Sequence, residues 1–522
     1  MKKIVVVVIL TIFLSTNFCL ASELMPDDTF YTKQWYLQSL DMSKVWAQEI
    51  GGNDIIIAVI DSGVDISHPD LHDNIWINQD EILGDKIDND KNGYIDDIHG
   101  WDFITHSNDP SPKYPVDCLA RKTCIQEAIL HGTFVAGVAA AVSNNNLGIT
   151  GVSWQTKIMP LRVLNEKGAG NTYEVVKAIE YAVANGADII NLSFVGDTYD
   201  QDLEKAIQHA FNQGIVVVAA AGNEDLEGHP VDLDAIKRYP VCHRGESGQQ
   251  IIIGVASVDK ENKLSEFSNY GSSCITVAAP GENFWGLLVY NSQVEGFNSY
   301  YGGDFSGTSL AAPIISGLVA LIKSAQPDLT NVQIRNIISN STDNIDLLNT
   351  SYKGKLGSGL INPVKVFQSL NISVLSGKLI KGTTNSTVYY LGIDNKRYVF
   401  PDQATFFSWY DDYSQVEVIS DTELADIAIG GLVTIKPGIK MVKVTTLPKV
   451  YAVDQGGVLR WVETEGLAQQ LYGSDWANQI IDISDAFFIN YKIGQTISLT
   501  SDFTPLDVQN RIKSIDQDKN IN

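Results

Sequence analysis

IIIAVIDSGVDISHPDL, residues 55–71, is the stretch on which the fold turns. An unbroken Ile/Val run of strand length is what a strand buried on both faces looks like, and such strands belong to parallel sheets covered by helices. Asp61 closes the run. A carboxylate at the end of a buried strand is costly unless something pairs with it. Outward from there, apolar runs at 158–164, 188–193, 215–221 and 251–258 read as further strands, and 131–142, 172–185, 202–213 and 308–323 as helices. In the helix at 172–185, Val175, Ile179 and Val183 recur on one face and Gly186 ends it. Strands alternating with helices predict an α/β fold with a mostly parallel sheet between two helical layers. Ligands in such folds lie beyond the carboxyl ends of the strands. Asp61 ends one strand, and Asn223 follows another.

Two more short motifs complete a chemical set. HGTFVAG at 131–137 supplies His131, and GTSLAAP at 307–313 supplies Ser309 at the start of an Ala/Leu/Ile-rich helix. A serine hydroxyl is a weak nucleophile at neutral pH. An imidazole must take its proton, and a carboxylate must orient that imidazole. Singly these residues read as a strand-end turn, a helix-start histidine and an N-cap. Framed, in the order Asp, His, Ser, they match one of the three known triad orders. The helix start puts the Ser309 hydroxyl near the positive end of a helix dipole, and Pro313 is expected in the tolerant first turn.

The chain resembles the subtilisin-like serine proteases, on their thermitase and bacterial subtilisin branch. The likeness covers roughly residues 27–370, and NNNLGITGV at 144–152, NLSFVG at 191–196, VVVAAAGNE at 216–224 and VAAPG at 277–281 also carry it. It implies that Asn223 and the Ser309 amide stabilise an oxyanion. It implies that Gly168 and Gly170, with Ser193, Phe194 and Gly196, flank an extended peptide. It implies a structural Ca²⁺ held by Asp27, Asp70, Asn145 and the carbonyls of Ser143, Leu147 and Ile149. There are departures: Phe134 stands where a second histidine is common, Leu130 and Ser306 replace a frequent glycine and asparagine, and Leu310 follows the nucleophile where methionine is frequent. None removes a catalytic group. The catalytic region also begins at once after the signal, which leaves no room for the usual inhibitory pro-segment.

DNDKNGYIDD at 88–97 suggests a second Ca²⁺ loop, with Asp88, Asp90, Asn92 and Asp97 as ligands and Gly93 permitting the turn. It lacks the closing glutamate of an EF-hand loop, and His99 stands there instead.

The 62 acidic against 37 basic residues, a net charge of −25, argue against a nucleic-acid partner. Residues 1–21 have a charged start, the apolar run VVVVILTIFL and a small-residue end at Ala21, the pattern of a secretory signal peptide. The run is short for a membrane anchor, so the chain reads as secreted by a bacterial export route with no stable anchor. Four cysteines remain after the signal: Cys118, Cys124, Cys242 and Cys274. They allow three pairings, of which Cys118–Cys124 with Cys242–Cys274 is the simplest.

The organisation expected is a peptidase domain over 22–372, a β-rich domain over 377–500 and a polar, loosely ordered tail over 501–522. The β-rich part is an internal repeat. GKLIK (377–381), VYYL (388–391) and KRYVF (396–400) recur about sixty residues on as GIKMVK (438–443), VYAV (450–453) and LRWV (459–462), giving units 377–437 and 438–500. Tyr389, Tyr398, Trp409, Tyr451 and Trp461 either fill a small β core or line a surface that binds a cell surface or another protein. A binding protein on an inert protease scaffold is the rival reading, which the intact triad disfavours. No GxSxG elbow, HExxH zinc motif or phosphate-cradling loop occurs, so the expected partners are protein or peptide substrates.

Overall fold

The computed structural model describes residues 23–115, 127–225, 227–374 and 377–521. The expected signal peptide, Cys118 and Cys124 lie outside these. The chain divides into two compact units, 1–367 and 368–522.

In the first unit the apolar runs are strands: β1 (Ile56–Asp61), β2 (Trp101–Asp102), β3 (Lys157–Arg162), β4 (Ile189–Leu192), β5 (Val216–Ala220), β6 (Ile252–Val258), β7 (Val277–Pro280), β8 (Phe284–Leu287), β9 (Tyr301–Phe305), β10 (Thr342–Asp343) and β11 (Leu360–Ile361). Nine form one sheet in the order β10-β11-β7-β6-β5-β4-β1-β3-β2. Every pairing is parallel except β10 with β11. Such a sheet must be covered on both faces. Helices α1 (Glu127–Ala140) and α4 (Thr308–Ala325) pack together as one layer, and α2 (Thr172–Ala184) and α3 (Gln201–Asn212) as another. The fold is the subtilisin-like three-layer α/β arrangement that the sequence implies. Helix starts obey local chemistry: Asn171 caps α2 by accepting from the Glu174 amide, and Asp200 caps α3. α4 is long and apolar enough to span a bilayer, but it is buried along most of its length as the core helix of this unit.

β1 lies between β3 and β4, so the chain reverses its direction of travel across the sheet at β1. That crevice is where such sheets bind ligands. Asp61 opens into it from the last position of β1.

The second unit holds two sheets of one design. In the first, β12 (Leu379–Lys381), β13 (Tyr389–Leu391), β14 (Arg397–Val399), β15 (Val416–Val418) and β16 (Ile429–Leu432) lie in the order β15-β12-β13-β14-β16. In the second, β17 (Met441–Val444), β18 (Val450–Asp454), β19 (Val458–Trp461), β20 (Ile480–Ile483) and β21 (Lys492–Ile493) repeat it as β20-β17-β18-β19-β21. A short helix leaves the third strand of each: α5 (Gln403–Trp409) and α6 (Glu465–Tyr472). Tyr398 and Tyr451 are buried in the cores, while Tyr389, Trp409 and Trp461 are half-buried.

The polar tail is not loose. Residues Pro505–Arg511 and Ile515–Lys519 are helical, and Phe503, Val508, Ile512 and Ile515 are buried in the repeat cores. The few apolar residues fall at helical spacing, which the segment's overall polarity masks.

Candidate active site

Three elements converge on Asp61. Its Oδ1 accepts from the Ser62 amide at 2.6 Å and faces His131 Nδ1 at 2.8 Å. Its Oδ2 is buried with no hydrogen-bond partner among the described residues. Asp61 is fully buried, and the imidazole is 28 % exposed. Burial pulls the His131 pKa down, but the charge and hydrogen bond of Asp61 together outweigh it and leave the pKa above the ordinary histidine value. His131 lies inside α1 rather than at its start, since the helix already runs from Glu127. Gly132 lets the helix approach. A Cβ there would sit 2.4 Å from the Gly63 carbonyl and 3.1 Å from Asp61 Cβ.

The Asp61 corner is tied down from a third side. The buried Arg162 at the end of β3 donates from Nε to the Ser62 carbonyl at 3.2 Å and from Nη1 to Asp102 at 2.8 Å. The Ser62 hydroxyl in turn accepts from the Gly132 amide at 3.1 Å.

Ser309 is the second residue of α4 and is half-buried. Its amide lies in the first turn and has no carbonyl four residues back to pair with. Asn223 Oδ1 accepts from both the Thr308 amide (3.1 Å) and hydroxyl (3.0 Å), so its Nδ2 faces away from them. The Thr308 hydroxyl also accepts from the Gly222 amide at 3.1 Å. A Cβ on Gly307 would lie 3.0 Å from Ser309 Oγ and 3.5 Å from Asn223 Nδ2. Glycine leaves that space open between the Ser309 hydroxyl and the Asn223 amide.

Pro313 is not in the first turn, as expected from the sequence, but one turn further in. It therefore withholds the amide that would have bonded the Ser309 carbonyl. Ser193 Oγ donates to that carbonyl instead, at 2.9 Å. A polar chain backs it, with Asn191 Nδ2 to Ser193 Oγ at 2.9 Å and Ser316 Oγ to Asn191 Oδ1 at 2.8 Å. Ser193, read from the sequence as a substrate contact, touches the helix that carries Ser309.

Gly168, Gly170, Phe194 and Gly196 line one pocket of about 270 Å³, walled by Leu164 and Tyr239. Gly196 and Tyr239 exchange backbone hydrogen bonds at 2.7 and 2.9 Å. Phe134 packs on Phe305, with ring centroids 5.1 Å apart, and under Gly286, where a second histidine would have been buried. Cys242 and Cys274 form a disulfide.

The residues read as a calcium site fit a hard cation. Asp70 is fully buried, and burial pushes its carboxyl up to about 6, so a positive charge there would relieve it. Asn145 Nδ2 lies 3.1 Å from Asp70 Oδ1, and the Asp27 carboxylate meets the Asn146 amide at 2.9 Å, on the loop that carries the Ser143, Leu147 and Ile149 carbonyls. In the second loop, carboxylate oxygens of Glu81, Asp90 and Asp97 lie within 4.8 Å of one another. Asn92 bonds Asp90 at 2.8 Å and Asp97 at 3.0 Å, and Asn78 reaches both as well. Glu81 and Asn78 were not legible, because they precede the loop and join it only when the chain folds back. Asp88 accepts from the Asn92 and Gly93 amides at 3.1 and 2.9 Å, closing the turn.

Residues 52–359 match the profile of the subtilase family of peptidases. The chain is 32 % identical over 344 residues to thermitase of Thermoactinomyces vulgaris, covering 66 % of this chain and 99 % of that one. It is also 32 % identical to a thermophilic serine proteinase of Bacillus sp. strain AK1, over 66 % of this chain and 70 % of the other. To subtilisin-like protease 1 of Plasmodium berghei it is 30 % identical, over 65 % of this chain and only 54 % of that relative. The solved structure of a Pseudoalteromonas arctica protease superposes with a TM-score of 0.51 at 28 % identity, covering 66 % of this chain and 99 % of the other. With more than half of its length matching the family profile, the chain belongs to the subtilase family.

Proposed function

We propose that this chain is a secreted, calcium-stabilised serine endopeptidase that hydrolyses peptide bonds through an acyl-enzyme. The observation that carries the reading is the buried Asp61 carboxylate bonded to His131, with Asn223 and Ser309 both bordering the space at Gly307. Ser309 Oγ attacks the peptide carbonyl carbon as His131 Nε2 takes its proton. Asp61 holds the ring tautomer and stabilises the imidazolium. The carbonyl oxygen becomes an oxyanion and accepts from Asn223 Nδ2 and the Ser309 amide. When the C–N bond breaks, the imidazolium returns its proton to the amine. Water then repeats the sequence on the ester and frees Ser309.

The substrate lies as an extended strand along 168–170 and 193–196, with Gly168, Gly170, Phe194 and Gly196 forming a side-chain pocket. Ser193 acts by fixing the Ser309 carbonyl. Asp27, Asp70, Asn145 and the loop carbonyls of Ser143, Leu147 and Ile149 hold one Ca²⁺. Glu81, Asp90, Asn92 and Asp97 hold another, with Asp88 shaping its loop. The ions stabilise the fold and take no part in the chemistry. Secretion rests on the pattern of residues 1–21.

A fluorophosphonate probe tests the reading. It labels Ser309 of the native chain, and Ser309→Ala abolishes both labelling and hydrolysis of an unfolded protein. Labelling that survives the substitution would refute it.

A further inference from the structure

The C-terminal unit carries two clefts at corresponding places in its two repeats. One, of about 730 Å³, is lined by Val388, Phe400, Asp402, Gln403, Phe406 and Tyr413, with Lys381 at its edge. The other, of about 370 Å³, is lined by Val450, Trp461, Val462, Thr464, Glu465 and Trp476, with Lys449 and Glu463 at its edge. Val388 and Val450, Phe400 and Val462, Asp402 and Thr464, and Gln403 and Glu465 are partners about sixty residues apart. In each repeat one cleft residue caps the adjoining helix: Asp402 accepts from the Thr405 amide at 2.7 Å, and Thr464 from the Leu467 amide at 3.2 Å. Both volumes lie in the ordinary range for ligand pockets.

The aromatic lining is what the fold alone does not explain. Phe400 and Phe406 of the first repeat become Val462 and Ala468 in the second, which would leave a merely aliphatic cleft. Trp461 and Trp476 restore an aromatic wall from other positions. In the first cleft Tyr413 is 45 % exposed and stacked on Phe406, with centroids 4.3 Å apart and planes at 21°. A core position needs apolar volume. Yet Tyr413 stays open to solvent, and Trp461 and Trp476 stay half-buried, with Lys449 Nζ 4.2 Å from the Trp461 ring centroid.

Several polar groups around these rings are unspent, although Asp402 and Thr464 cap helices and Lys449 lies over the Trp461 ring. Among the described residues, no hydrogen bond or ion pair joins the side chains of Lys381, Gln403, Glu463 or Glu465, or the indole N–H groups of Trp461 and Trp476, to another protein group. Each cleft thus offers donors and acceptors beside partly exposed aromatic rings. Its charges are mixed, Lys381 with Asp402 and Lys449 with Glu463 and Glu465, and the whole chain carries −25. That balance repels polyanions and gives no trap for a lone cation. A sugar ring meets all these terms, since its C–H face is apolar and its hydroxyls both donate and accept.

We propose that the two clefts bind a neutral polysaccharide, each holding a pyranose ring against its aromatic wall with the ring hydroxyls on the polar edge. Two weak sites on one chain then act together on a polymer that presents many rings.

The test uses the full chain carrying Ser309→Ala, which cannot digest itself and leaves the clefts untouched. The native-gel mobility of this chain is measured in gels containing hydroxyethylcellulose, laminarin, xylan or mannan, and its sedimentation with chitin or cellulose. Heparin and a polyproline peptide serve as the anionic and peptide comparisons. At least one neutral glycan retards the chain. Tyr413→Ala and Glu465→Ala, both exposed sites, each weaken binding by up to about tenfold, and the pair together by more than either alone. Circular dichroism checks that the variants fold. Absence of binding across the panel, binding unaffected by the paired substitution, or capture only by heparin or polyproline each overturns the proposal. These outcomes are independent of fluorophosphonate labelling at Ser309, so the two readings stand or fall separately.

Discussion

Ser193 shows how one side chain can brace the residue at a helix start. Pro313 deprives the Ser309 carbonyl of its helical donor, and the Ser193 hydroxyl replaces it at 2.9 Å. Ser193→Ala leaves that acceptor unsatisfied, at a cost of about 1–3 kcal/mol in stability. The expected result is a lower unfolding temperature with a lower kcat, whereas an unchanged kcat would mean that the carbonyl is not what places Ser309. His131 sets a second expectation. Its pKa is raised above 6.5 by Asp61 in spite of burial. The pair therefore stabilises the fold fully below the unfolded histidine value, and the contribution is lost as pH rises through the folded one. Catalysis needs the opposite state, the neutral base. The acid limb of kcat/KM is thus expected to have its midpoint above 6.5, and a midpoint below it would contradict the coupling.

At the scale of elements, two loops bring carboxylates together with few cations to answer them. Asp70 in one and Asp97 in the other are fully buried, and burial raises both carboxyls above the ordinary range, Asp70 to about 6. Bound Ca²⁺ would replace that cost with attraction. At a hundredfold excess over Kd, each site would add about 3 kcal/mol to stability. EDTA is therefore expected to lower the melting temperature of the native chain. Asp70→Asn and Asp97→Asn should each remove part of that drop, and both together nearly all of it. Equal melting with and without chelator would count against both sites.

At the scale of the whole molecule, the chain holds two compact units with separate cores, one built on a parallel sheet and one on a pair of five-stranded sheets. Each core buries its own apolar residues, so each is expected to unfold cooperatively on its own terms. Scanning calorimetry should resolve at least two transitions, with EDTA moving only the one that belongs to the first unit. A single transition that shifts as a whole would show the units to be coupled.

Much of this could be read from local order along the chain. Apolar runs such as IIIAVI and VVVAA declare buried parallel strands because nothing polar interrupts them, and the three framed motifs name their chemistry because each keeps its neighbours. The repeat was visible for the same reason, as one strand pattern written twice. What folding alone decided were the long-range pairings. Glu81 and Asn78 joined the second acidic loop, Ser193 turned toward the Ser309 carbonyl, Thr308 fixed Asn223, and Phe503, Val508 and Ile512 drew a polar-looking tail into a core. Periodicity reports which face of an element is apolar. It does not report which distant donor meets which acceptor, because those hydrogen bonds depend on where the backbone brings the atoms, and only the packed chain fixes that.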